Sequence, residues 1–244
     1  MFKIRKSGRA WYGESIGILI LNAGYPCIPG NVGNATTFPF PVRYKMVREA
    51  SIERLLHRQD RSLLKPFIDA ARELQQEGVR AVTGACGFMA LFQREIAEAL
   101  EIPVFLSSLL QIPFIRQTLK QDQAIGVITA DASALTDDHF AAVGVTPEIP
   151  LVIAGMEGQT EFKEAILEEK GTLDSDRIQA EVVQVAGEMV QKHSKIGAIL
   201  LECSDLPPYA HAVQQTTGLP VYDFTTMIGH VHSALVRTSF QGFI

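Results

Sequence analysis

Apolar positions along the chain fall into two recurring patterns. Apolar runs of strand length stand within residues 15–24 (SIGILILNAG), 124–133 (AIGVITADAS) and 151–154, and again just before Cys86 and Cys203, and a further strand is predicted over 42–47, after Pro39 and Pro41. Elsewhere apolar residues recur every three or four positions. Phe67, Ala70, Ala71 and Leu74 share one face of a helix predicted over 65–76, which Gly78 is placed to end. Further helices are predicted over 108–120, 134–143, 161–169, 176–193 and 225–236. Glu157, Glu161, Glu164, Glu168 and Glu169 read as a solvated helical face. Strands buried on both faces look like unbroken runs, so their alternation with helices predicts an α/β fold with parallel sheets.

The central stretch occurs twice, at 79–105 and 196–222. The shift that carries Cys86 onto Cys203 also carries Ala81 onto Ala198, Pro103 onto Pro220, Val104 onto Val221 and Phe105 onto Tyr222. Met89, Phe92 and Ile96 have the helical phase of Leu206, Tyr209 and Val213. The first strands echo each other too, Gly17 matching Gly126 and Asn22 matching Asp131. Two pseudo-symmetric parallel-sheet α/β lobes are therefore expected, over 1–121 (with an N-terminal arm at 1–14) and 122–244. The active site would lie in the cleft between them, and the C-terminal helix could pack back on the first lobe. Residues 26–41 (PCIPGNVGNATTFPFP) have no period and no echo. Loops of that length in compact domains are generally functional or disordered, and this one is placed to cover the cleft as a lid.

Of the 244 residues, 47% are hydrophobic and 20% charged, the composition of an ordinary globular protein. A net charge of −5 leaves no footprint for nucleic acid. Lys3, Arg5, Lys6 and Arg9 make the N-terminal arm locally basic, and the arm reads as a solvated extension. No apolar stretch approaches the length of a membrane span. Gly13, Glu14 and Ser15 separate the basic start from the first apolar run, so a cytoplasmic location without membrane partners is the expectation. Three cysteines without a C-x-x-C arrangement argue against a disulfide framework or a zinc site, and the six histidines show no metal spacing. A homo-oligomer is compatible with the chain and not specified by it.

Cys86 and Cys203 are each expected where a strand ends and a helix begins. Ligands of parallel α/β sheets sit at that edge, and a helix N-terminus there lowers a thiol's pKa. Gly84, Ala85 and Gly87 would let a ligand approach the backbone around Cys86, whereas Glu202, Ser204 and Asp205 make a polar setting for Cys203. A single buried cysteine is usually packing, as Cys27 reads here. Two at matched ends of a duplicated strand point to function. Two thiols facing one ligand suit removal of a proton from one side of a carbon and its return on the other. A two-lobed binding protein without catalysis is the alternative of a different class. A redox sensor is weakened by the lack of a resolving cysteine near either thiol.

The first strand (IGILILNAG) and the motifs GACGFM and ECSDLPPY resemble the aspartate/glutamate/hydantoin racemase superfamily. The run from Cys203 to Pro207 is similar to that family's Cys-Thr-Glu-Leu/Ile-Pro signature. Where aspartate and glutamate racemases have Cys-Asn-Thr, this chain has Cys86-Gly87-Phe88, closer to the hydantoin-racemase side, and the loop at 26–41 marks a separate branch. The resemblance implies a cofactor-independent racemase or epimerase of an amino acid, small carboxylate or hydantoin. It makes Cys86 and Cys203 the acid/base thiols and Asn22, Thr83, Gly87, Phe88, Ser204 and Asp205 the substrate-binding set. Asp205 would hold Cys203 in its working protonation state or contact a substrate ammonium group. No pyridoxal lysine and no metal are implied. Arylmalonate-type decarboxylation and maleate-type cis–trans isomerisation are the rival reactions of the superfamily. Relatives that decarboxylate work with the second cysteine alone, so Cys86 favours racemisation over that reaction.

Overall fold

The apolar runs become parallel strands in two separate sheets of a computed structural model that describes residues 11–243. Lys3, Arg5, Lys6 and Arg9 lie outside the described residues. The first sheet is built from β1 (Ile16–Leu21), β2 (Val42–Val47), β3 (Ala81–Gly84) and β4 (Val104–Phe105), in the order β2-β1-β3-β4. The second is built from β5 (Ala124–Thr129), β6 (Leu151–Gly155), β7 (Ile196–Leu201) and β8 (Val221–Tyr222), in the order β6-β5-β7-β8. The repeat read from the sequence is also a repeat of register. Val82 and Thr83 stand opposite Val104 and Phe105, and their counterparts Ile199 and Leu200 stand opposite Val221 and Tyr222. In each sheet the strand order reverses between the two central strands, so ligand-binding crevices are expected beyond the ends of β1 and β3 and of β5 and β7.

Helices cover both sheets: α1 (Leu64–Glu77), α2 (Gln93–Ala99), α3 (Ile112–Thr118), α4 (Asp137–Ala142), α5 (Thr160–Phe162), α6 (Ser175–Lys192), α7 (Ala210–Thr217) and α8 (Phe224–Leu235). Gly78 ends α1 in the left-handed region (φ 100°), where its N–H bonds the carbonyls of Leu74 and Gln75. Phe224, Met227, Ile228 and Val231 of α8 join Ile16, Ile18, Ala81 and Ala85 in a second apolar cluster, so the closing helix packs on the first sheet. Among the described residues no helix is long and apolar enough to cross a membrane.

The helix expected over 161–169 is replaced by the short α5 and a wide π-type turn at 163–167. Glu161 does not sit on a solvated face. It is 5% exposed, and its carboxylate accepts from Lys170 Nζ (2.8 Å) and the Asp174 N–H (2.9 Å). A matching wide turn at 53–57, unmarked in the sequence pattern, occupies the same place in the first lobe. Each turn is followed by a non-glycine residue in the left-handed region, Gln59 (φ 47°) and Glu169 (φ 52°), a conformation held by its surroundings. Those surroundings belong to the other lobe. Gln59 Nε2 donates to the Ala134 carbonyl (3.0 Å), and Glu169 Oε1 accepts from the Gly24 N–H (2.5 Å).

Candidate active site

The turns after β3 and β7 meet across the lobe boundary. Ser204 Oγ donates to the Ala85 carbonyl (2.8 Å), and Ser108 Oγ reaches the carbonyls of Leu201 (3.1 Å) and Glu202 (3.3 Å). Both thiols line the cavity that results, a narrow space of about 20 Å3. Its apolar wall comes from Leu21, Ile52, Leu56, Phe88, Ile166 and Leu167, the last four beside or within the two wide turns or the Cys86 motif. Its polar wall is Tyr25, Glu202, Ser204 and Asp205. Among the described residues no lysine, arginine or histidine lines it. Nor is any group of three or more His, Cys, Asp or Glu side chains placed to share a metal ion.

The two thiols differ in setting. Cys86 stands just before a 3-10 turn at 87–92, in extended conformation (φ −165°), and is partly exposed. Burial pushes its pKa well up, the neighbouring Glu202 carboxyl pushes the same way, and the N–H groups of Phe88 and Met89 pull it back. Cys203 is 7% exposed and donates to Asp205 Oδ2 (3.3 Å). Burial, then Asp205, raises its pKa. Asp205 also accepts from Asn31 Nδ2 on Oδ1 (2.5 Å) and from the Tyr25 hydroxyl on Oδ2 (3.2 Å). Burial raises Asp205 and these donors hold it down. Asp205 is thus a carboxylate with three built donors, one of them a thiol in the cavity wall.

The sequence-derived set divides here. Cys86, Gly87, Phe88, Cys203, Ser204 and Asp205 come together in the cavity wall. Thr83 and Asn22 do not. The Thr83 side chain stands on the α8 side of its strand, in a small void with Phe105, Ile228 and Val231, and donates to the Phe105 carbonyl (2.5 Å). Asn22 is exposed beside the cavity's rim, its amide on the Arg48 carbonyl (3.3 Å). The loop at 26–41 supplies what Asn22 does not. Gly30 (φ 100°) lies against Pro208, where a Cβ would meet the Pro208 Cα at 2.8 Å, and the Val32 N–H bonds the Ser204 carbonyl (3.2 Å). Bonds from Gly30 to Thr37, from Gly33 to Asn31 and from Asn34 to Cys27 tie the loop internally, so it stands as a wall that carries Asn31 to Asp205. Cys27 faces a side chamber shared with Tyr25 and Asn31, and burial, then Asp205, pushes it up to about 11.

Glu202, Tyr25 and Asn31 were outside the expected set. Glu202 had a signal: an acidic residue closes the unbroken apolar run IGAILL at a position where every neighbour is buried. Tyr25 and Asn31 had none, since no local period marks a loop residue.

No family model matches the chain. It is 32% identical over 215 residues to a dimethylsulfoniopropionate lyase of Durusdinium sp. clade D, covering 86% of this chain and 71% of that protein. It is 32% identical over 231 residues to dimethylsulfoniopropionate lyase 3 of Emiliania huxleyi (strain CCMP1516), covering 91% of this chain but only 60% of that longer protein. Among solved structures, allantoin racemase from Pseudomonas fluorescens superposes with a TM-score of 0.62 at 19% identity, covering 91% of each chain. Unliganded arylmalonate decarboxylase gives 0.59 at 15% identity, over 93% of this chain and 94% of the other. Glutamate racemase from Francisella tularensis in complex with D-glutamate gives 0.52 at 18%, over 93% and 85%. The fold is that of the aspartate/glutamate/hydantoin racemase superfamily, as its motifs led one to expect.

Proposed function

The chain belongs to the family of the dimethylsulfoniopropionate lyases, and we propose that it cleaves a small sulfonium carboxylate by β-elimination. The racemase expected from the sequence gives way because the relatives at 30% identity or more are named as lyases. One structural observation supports a zwitterionic substrate over a dianionic one: the cavity wall has two thiols and two carboxyl groups, with no cationic side chain among the described residues. Maleate and the arylmalonates carry two negative charges and would be repelled by that wall. A zwitterion with a compact cationic end would not. The apolar residues Leu56, Phe88, Ile166 and Leu167 suit its two S-methyl groups.

The same charge balance supplies the activation. Both thiols rest protonated, because burial and neighbouring carboxyls raise them. A sulfonium entering the cavity lowers every one of these pKa values, since a nearby cation favours the anionic form. Asp205 then takes the Cys203 proton along their hydrogen bond, and the thiolate removes the proton next to the substrate carboxylate. The electron pair from that C–H bond forms the carbon–carbon double bond. The carbon–sulfur bond breaks, and dimethyl sulfide leaves with its electron pair. Acrylate and one proton complete the balance. An elimination needs one base, so Cys86 has no proton to return. The test is release of dimethyl sulfide into the headspace above protein and dimethylsulfoniopropionate, strongly reduced with Cys203→Ala. A protein that releases none while inverting an amino acid or hydantoin would reverse the assignment.

A further inference from the structure

A substrate carboxylate entering this cavity needs a hydrogen-bond donor, and among the described residues no arginine or lysine, the usual donors, lines the wall. We propose that Glu202 fills that role as a neutral carboxylic acid, contacting the substrate and donating its proton in a hydrogen bond to the substrate carboxylate. The inference rests on the reading of the cleft as a site for a small carboxylate zwitterion.

Glu202 is completely buried at the end of β7. Its backbone is pinned, the N–H on the Ile128 carbonyl (2.8 Å) and the carbonyl on Ser108 Oγ (3.3 Å). Oε2 accepts the Thr129 hydroxyl (2.8 Å), while Oε1 has no hydrogen-bond partner among the described residues. Buried polar atoms are nearly always paired, so a bare one on a residue that lines the cavity calls for a partner. Oε1 points across the lobe boundary at Gly87, directly after Cys86. It fills the space where a side chain at 87 would begin, so a Cβ there would collide with it. The titratable groups facing it are Asp205, Cys86 and Cys203. All are acids, and none stabilises a negative charge on Glu202. Burial foremost pushes Glu202 up to about 8, against the Thr129 bond and with help from Asp205, so the acid form prevails at neutral pH. A protonated carboxyl bonding a carboxylate is a strong, charge-assisted contact. Unlike arginine, it adds no positive charge to repel the sulfonium end. As the α-proton leaves, charge grows on the substrate carboxylate and the bond strengthens.

Three proteins test this: the wild type, Glu202→Gln, which keeps a donor but cannot titrate, and Glu202→Leu. For wild type, KM for dimethylsulfoniopropionate should rise above about pH 8 as Glu202 ionises. Glu202→Gln should remove that rise, and Glu202→Leu should raise KM about tenfold or more, as loss of a hydrogen bond to a charged group does. A wild-type rise that persists in Glu202→Gln, or an unchanged KM in a folded Glu202→Leu, overturns the proposal. Infrared spectroscopy at pH 7 separates this from the lyase reading. A protonated-carboxyl band, missing in Glu202→Gln and displaced by added acrylate, supports Glu202 even if dimethylsulfoniopropionate is not cleaved. No such band, or one that acrylate leaves in place, overturns it.

Discussion

Ala85-Cys86-Gly87 and Glu202-Cys203-Ser204 hold equivalent places after β3 and β7, yet the two lobes use them differently. The first carries small residues, and its thiol makes no capping hydrogen bond to the turn that follows. The second carries a buried acid before its thiol and a hydroxyl after it, with Asp205 bonded to the sulfur. Each set is shaped for the other: Gly87 leaves room for the Glu202 carboxyl, and Ser204 bonds the Ala85 carbonyl. Duplication gave two thiols a common cavity. The unrepeated loop then made them unequal, because Tyr25 and Asn31 bond Asp205 and have no counterpart beside Cys86. A symmetric frame suits two-sided proton transfer; an asymmetric one suits a reaction that takes one proton.

That inequality is open to direct attack by mutation. Cys203→Ala should lower the rate of dimethyl sulfide release by about 10²–10⁴, the range for loss of a general base. Cys86→Ala should cost no more than about tenfold. Equal and complete losses would restore a two-base scheme. Asp205→Asn should follow with a loss of about 10² in kcat, because the thiol loses its proton acceptor, while Asn31→Ala should lose less through misplacement of Asp205.

Much of this frame was legible in the sequence, for physical reasons that also explain the failures. Central parallel strands buried on both faces must be largely apolar, so β1, β5 and the cysteine-terminated β3 and β7 stood out, whereas the half-buried edge strand β2 was marked by the prolines before it. Thr83 was misplaced because alternate residues of a strand face opposite sides, and three positions before Cys86 its side chain turns towards α8. Glu161 looked solvated because a run of glutamates usually is; its ion pair with Lys170 and the bond from the Asp174 N–H come from residues after it in the chain. The wide turns at 53–57 and 163–167 carry apolar pairs that fit either a helix or a turn, and only contact with the other lobe decides between them.

Stability should carry the next signature. Glu202 has a folded pKa of about 8, raised above its unfolded value of 4.5, so its stabilising protonation is fully present below about pH 4.5 and is lost as the pH rises towards 8. Denaturant unfolding at pH 5 and pH 8 should therefore show a fall on the order of a few kcal/mol that Glu202→Gln abolishes. Gly87→Ala should cost about 1–3 kcal/mol through overpacking against the pinned Glu202, whereas Ser204→Ala at the equivalent place should cost about 1 kcal/mol for its hydrogen bond. The smallest effect belongs to the cross-lobe contacts. Glu169→Ala should change global stability by less than about 1 kcal/mol, yet speed amide exchange at Gly24.

The most direct trial of elimination at this cleft is a proton NMR time course of the protein with dimethylsulfoniopropionate in deuterated water. Acrylate and dimethyl sulfide should appear in equal amounts as substrate disappears, and at matched concentration maleate should neither react nor slow the reaction. Exchange of the α-protons for deuterium without any acrylate would contradict the account. It would show a base that works on the right carbon in a cleft that shuttles protons instead of expelling a leaving group.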